Sequence, residues 1–233
     1  RPKKKNYPAP DYHRIGELLK ECLEATSMSS RAFVFQVLTA TRGEAVRTLR
    51  WDDIDFENKE IHIRHSMQSA YLNGKKILNM TTPKTSNSIR DIPMFDGVEK
   101  LFVFWKEKQD KAKKELGRRW RLPKEFENLV FTSSLGSPLT RYVLSNDINK
   151  IVSILNKNEE YLAEQENRVP KKFPKLHPHS FRHTFATRCF EKNLKPVFIM
   201  SIMGHSNYET TLSYTHLLKK SNDQQVSLAG SFV

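Results

Sequence analysis

The residues with the most evident chemical potential fall in three runs near the carboxyl end: Leu176-His177-Pro178-His179-Ser180-Phe181-Arg182-His183-Thr184, Met203-Gly204-His205-Ser206-Asn207 and Thr210-Thr211-Leu212-Ser213-Tyr214-Thr215-His216. If the first run is helical, His179 and Arg182 lie three residues apart on one face, so an imidazole and a guanidinium could meet one phosphate. Breaking a phosphodiester without a metal requires neutralising the phosphoryl oxygens, activating a nucleophile and protonating a leaving alkoxide. A tyrosine hydroxyl, with an unperturbed pKa of about 10, is a weak nucleophile that needs cationic neighbours or a base. His177, His179 and His183 could instead be read as a zinc cluster, but Pro178 and the lack of an adjacent carboxylate disfavour that reading.

These groups must be held by helices and a small sheet. Apolar residues at Ile15, Leu18, Leu19, Cys22 and Leu23 predict a helix over 13–25, and a second runs from Arg31 to Thr41 with Ser29 or Ser30 as cap. Short alternating runs at 61–64, 66–72, 77–81 and 88–92, two of them joined by Asn73-Gly74, predict one small antiparallel sheet. Helical spacing returns over 95–116 and 141–163, with a short strand expected at 129–132 between them. Three further helices are expected over 179–192, 196–203 and 208–219, separated by Asn193-Leu194-Lys195-Pro196 and Gly204-His205-Ser206-Asn207. The fold class expected is mostly α with a small antiparallel β-sheet.

Composition narrows the partners. The 233 residues are 38% hydrophobic, enough for an ordinary core, and carry 39 Lys and Arg against 26 Asp and Glu, a net charge of +13. Such an excess favours a polyanion, without separating DNA from RNA or an acidic membrane. No apolar run is long enough to span a bilayer, and Arg1-Pro2-Lys3-Lys4-Lys5 leads into nothing resembling a signal peptide, so a cytoplasmic location is expected. Cys22 and Cys189 form no CxxC pair, which suggests neither a disulfide framework nor a thiolate zinc site.

The run from His179 to Tyr214 resembles the signature of the tyrosine recombinase, or phage integrase, family: His-x-x-Arg-His-Thr, then Gly-His-Ser, then a Tyr nine residues after that His. Thr82-Pro83-Lys84-Thr85-Ser86-Asn87-Ser88-Ile89-Arg90-Asp91-Ile92-Pro93 looks like the hairpin that presents the family's catalytic lysine, matched by Lys84. Leu38 to Trp51 is similar to the family's helix start with its first arginine, matched by Arg42, although only Gly43 separates Arg42 from Glu44 where the family has two residues. Either a residue is missing from the helix or Thr41 takes that arginine's place, and the upstream residues favour Arg42.

The resemblance implies a tyrosine recombinase catalytic-domain fold and site-specific recombination of a mobile element or phage, with no cofactor. Tyr214 would be the nucleophile, Arg42 and Arg182 the phosphate clamps, His179 the base, His205 a phosphate hydrogen-bonder and Lys84 the acid for the 5′ oxygen. A DNA-binding module that has lost catalysis, or an activity of the type IB topoisomerase or telomere resolvase kind, is the alternative. The expected organisation is a basic linker at 1–11, following an absent amino-terminal core-binding domain, a catalytic domain at 12–220, and a tail at 221–233 that docks on a neighbouring subunit. Expected partners are double-stranded attachment sites in a homotetramer on two duplexes, with accessory DNA-bending or excision proteins and no membrane. Lys3, Lys4, Lys5, Arg118, Arg119 and Arg121 are candidates for DNA backbone contacts, whereas the run from Lys106 to Lys114 interleaves acids and reads as a solvent face.

Overall fold

The computed structural model describes residues 14–24, 30–83 and 85–213. The basic linker, the carboxyl tail, Lys84 and Tyr214 lie outside these residues. The helices are α1 (Ile15–Glu24), α2 (Ser30–Thr39), α3 (Gly43–Val46), α4 (Asp96–Leu116), α5 (Arg141–Gln165), α6 (Pro178–Glu191), α7 (Pro196–Met203) and α8 (Tyr208–Leu212). The strands β1 (Ile54–Asp55), β2 (Glu60–Ile63), β3 (Ser66–Leu72), β4 (Lys75–Thr81) and β5 (Arg90–Pro93) lie between α3 and α4. The mostly helical class is as expected, and none of the described helices is long and apolar enough to cross a membrane.

The α2 segment is the centre of the molecule. Ala32 to Val37 are all buried, because α1, α5 and α6 cover it on several sides. Its Phe35 meets Phe102 of α4 and Phe131 at ring-centroid distances of 5.6 and 5.4 Å, and Phe33 meets Phe181 of α6 at 5.7 Å. Fully burying one such ring contributes about 2–3 kcal/mol, so this aromatic cluster fixes where α6 lies. The outer face of α4 carries Lys106–Asp110 and Lys111–Glu115 pairs at 3.8 and 3.7 Å, the salt-laced solvent face its sequence predicts.

Two features differ from the sequence expectation. The strands form two sheets rather than one: β1-β2-β5 and the separate β3-β4 hairpin, all antiparallel. The chain breaks between them at Arg64-His65, where Arg64 turns back to donate to the Arg90 carbonyl at 3.1 Å. The strand expected at 129–132 is reduced to isolated bridges, Arg50 to Leu129 and Thr132 to Pro138. Its carbonyls are claimed by a side chain, since buried Gln109 donates to Leu129 and Val130 at 3.1 Å each while accepting from the Trp51 indole at 2.8 Å. The Asn73-Gly74 turn forms as expected, both residues with positive φ, joining β3 to β4 in register from Leu72↔Lys75 to Ser66↔Thr81.

One face of α5 guides the chain back to α6. Glu159 accepts the Lys171 amide at 2.7 Å, Asn156 makes a reciprocal pair with the Phe173 backbone, and Asn149 donates to the Leu176 carbonyl at 3.3 Å. This tether delivers residues 177–179 to the start of α6, where Pro178 fits the first helical turn and Ser180 accepts the His177 amide at 3.3 Å.

Candidate active site

The site is organised by the end of α7. Gly204 adopts the left-handed conformation, φ 63°, and closes the helix as a Schellman turn: the His205 amide bonds the Met200 carbonyl and the Gly204 amide the Ser201 carbonyl, each at 3.2 Å. That closure leaves the next three carbonyls without a helical donor, at the negative end of the helix dipole. Arginines take all three. Arg90 Nε donates to Ile202 at 2.6 Å, Arg182 Nη2 to Met203 at 2.8 Å, and Arg42 Nη2 to Gly204 at 3.1 Å, with Arg42 Nη1 also reaching Met203 at 3.5 Å.

Arg182 is nearly fully buried, and its Nη1 also donates to the Ala40 carbonyl. Ala40 itself sits at φ 54°, a conformation that costs an L-residue about 1 kcal/mol or more, so the α2–α3 connection is held under strain where it presents this carbonyl. Arg42 precedes the short α3 and reaches the cluster, whereas Thr41 is fully buried and bonds Thr39 at 2.9 Å. The shortened Arg42-Gly43-Glu44 spacing thus still delivers Arg42, rather than Thr41, to the partners of Arg182.

His205 lies in the same cluster with both ring nitrogens engaged. Nε2 stands 3.1 Å from Arg182 Nη2 and Nδ1 stands 2.9 Å from Thr211 Oγ1. Because a guanidinium only donates, Nε2 is the acceptor and Nδ1 carries the proton to Thr211. Burial and the charges of Arg182, Arg42 and Arg90 push its pKa down to about 3, so the ring is neutral at physiological pH. His179 is also held below the ordinary imidazole range, chiefly by burial, with nearby arginines lowering it and Glu44 opposing. His183 is lowered in the same direction by burial.

A cavity of about 620 Å³ opens beside these groups, lined by Arg42, Arg47, Arg90, Arg141, His65 and Glu44 among others. Pro83 and Thr85, the neighbours of Lys84 on either side, also line it. A second cavity of about 200 Å³ is bounded by Glu44, Arg141, His177 and His179. Glu44, two residues after Arg42, is therefore the acidic group shared by both.

The structure brings together Arg42, Arg182 and His205, with His179 on the same helix face as Arg182. Tyr214 and Lys84 fall outside the described residues, as do Lys3, Lys4 and Lys5. Thr211, three residues before Tyr214, is tied to His205. Arg118, Arg119 and Arg121 are exposed beyond the end of α4 and line neither cavity beside the cluster. Sequence reasoning missed Arg90 as a site residue, because its only signal was a place in the Lys84 run.

Residues 11–221 match the phage integrase family, and the chain belongs to it. It is 27% identical over 214 residues to a tyrosine recombinase XerC-like protein of Caldanaerobacter subterraneus subsp. tengcongensis, covering 89% of this chain and 50% of that protein. It is 29% identical over 165 residues to the transposase from transposon Tn916 of Enterococcus faecalis, covering 70% of this chain and 35% of that one. The chain thus spans about half the length or less of these relatives. Its fold matches the Tn1549 transposon integrase in complex with a circular intermediate DNA, with a TM-score of 0.72, 25% identity, and coverage of 91% of this chain and 62% of that one. The XerA recombinase shares the fold at a TM-score of 0.58 and 18% identity, covering 98% and 66%.

Proposed function

We propose that this chain is the catalytic domain of a site-specific recombinase that integrates or excises a mobile element by transesterification through a 3′-phosphotyrosyl link. The observation that carries this reading is the convergence of Arg42 and Arg182 on the carbonyls that end α7, with His205 against Arg182, beside a cavity bounded by both neighbours of Lys84. Arg42 and Arg182 would hold the nonbridging oxygens of the attacked phosphate; removing one such donor typically costs about 100- to 1,000-fold in rate. His205, with both nitrogens engaged, would act by fixing Arg182, and neutral His179 would take the phenolic proton of Tyr214. The Tyr214 oxygen attacks phosphorus, the bond from phosphorus to the 5′ oxygen breaks, and that oxygen takes a proton from Lys84.

Because the phosphodiester bond energy is kept in the tyrosyl link, a 5′ hydroxyl from another strand can reverse the attack. Strand exchange then needs neither hydrolysis nor a nucleotide. The domain would span 12–220, preceded by a basic linker at 1–11 and followed by a tail at 221–233 that docks on a neighbouring subunit in a tetramer on two duplexes. Accessory DNA-bending or excision proteins would assist, and Lys3, Lys4, Lys5, Arg118, Arg119 and Arg121 would touch the DNA backbone. Incubation with two differently labelled duplexes carrying the element's ends tests this. Labelled recombinant strands, formed in the presence of chelator, are expected; relaxation of supercoiled DNA without exchange of partners would contradict it.

A further inference from the structure

Arg90 is bound into the site by the same scheme as the two arginines already assigned. Its Nε holds the Ile202 carbonyl and its Nη1 the Ser88 carbonyl at 3.2 Å, so the guanidinium is fixed from both sides. Its Nη2 is buried and has no hydrogen-bond acceptor among the described residues. Among the described residues no ion pair involves Arg90, and it lines the cavity of about 620 Å³ with Arg42, Arg47 and Arg141, against the single carboxylate of Glu44. Burial and the nearby charge of Arg42 push its pKa down to about 10, which still leaves it charged at neutral pH. Packing like charges with one donor unmatched is costly unless an anion arrives to share them.

We infer that Arg90 is a third phosphate-neutralising arginine, whose guanidinium charge, at the cavity wall beside Arg42, offsets that of the phosphate that Arg42 and Arg182 clamp. This rests on the recombinase reading above and deepens it. The contact with Gly204 fits the role: a β-carbon there would stand 3.1 Å from Arg90 Cδ and Nη1, so nothing but hydrogen separates the guanidinium from the turn that orders the other arginines.

Uncharged methylphosphonate provides the test, because it removes the negative charge that an arginine would neutralise. Nicked duplexes that the wild-type chain captures covalently are prepared with either phosphodiester or methylphosphonate at the attacked position. Arg90→Gln is expected to slow capture of the phosphodiester by about 100-fold, and capture of the methylphosphonate by less than roughly threefold relative to wild type on the same duplex. Arg90→Lys, which keeps the charge but loses the fork, should fall between, and it carries the same comparison if the glutamine variant does not fold. Equal losses on both duplexes, no loss on the phosphodiester, or recovery only when the methylphosphonate lies one nucleotide away would each overturn the inference. Failure of the wild type to capture either duplex would overturn the proposed function and this inference with it, and is thereby distinct from a defect confined to the Arg90 variants.

Discussion

Replacing Gly204 by alanine tests the turn on which the whole site depends. The residue sits at φ 63°, where an alanine costs about 1 kcal/mol more than glycine. The added β-carbon would also stand 2.7 Å from the Asn87 carbonyl oxygen and 3.1 Å from Arg90. Backbone cannot swing aside as a side-chain tip can, so the turn at Ser86–Ser88 or the α7 end must move, at an overpacking cost of about 1–3 kcal/mol. The sum, about 2–4 kcal/mol, corresponds to a melting temperature lower by roughly 5–12 °C for a domain of this size. Thermal and urea unfolding followed by circular dichroism would measure it, with Gly97→Ala as control, since nothing lies within 4 Å of that added carbon and α4 should gain about 0.5–1 kcal/mol. Because the Gly204 and Met203 carbonyls hold Arg42 and Arg182, DNA capture should fall by more than about tenfold. A Gly204→Ala protein that melts within about 2 °C of wild type and captures DNA normally would refute the reasoning.

Other consequences follow from the same geometry. Gln109→Leu strands the Trp51 indole and two carbonyls and should cost about 2–4 kcal/mol in urea unfolding. His205 has a folded pKa of about 3 against an ordinary 6.5, so the unfolded chain takes up the proton first as pH falls; stability should drop by about 2 kcal/mol between pH 6.5 and 5, a loss that His205→Gln removes. His179 is likewise held low, so the acid limb of DNA capture should have its midpoint below 6.5, and a midpoint above it would contradict a neutral base. Substituting serine for Arg118, Arg119 or Arg121 should lower the salt slope of DNA binding by about one per arginine, as measured by titration at several salt concentrations.

Much of this arrangement is legible in the sequence where one residue dictates the backbone. Pro196 and Gly204 bound α7 as read, and Asn73-Gly74 places the β3–β4 turn. The family resemblance picks out Arg42, Arg182 and His205, and the structure places the two arginines on one set of carbonyls with His205 bonded to Arg182. What could not be read depends on groups far apart in the chain. The break at Arg64 needs the Arg90 carbonyl, the lost strand at 129–132 needs Gln109, and the place of Arg90 in the site needs the Ile202 carbonyl 112 residues away. The engagement of both His205 nitrogens likewise arises from Arg182 and Thr211, partners that no local pattern around Gly204-His205 specifies.

The most direct measurement of the central claim is covalent capture of DNA. The chain is incubated, with chelator present, with a radiolabelled nicked duplex carrying a candidate attachment site, beside Tyr214→Phe, and the denatured protein is assayed for label. Label retained on the wild-type chain and lost in Tyr214→Phe is the predicted result. Binding of a confirmed site without any retained label, or label that persists in Tyr214→Phe, would contradict tyrosine-mediated transesterification.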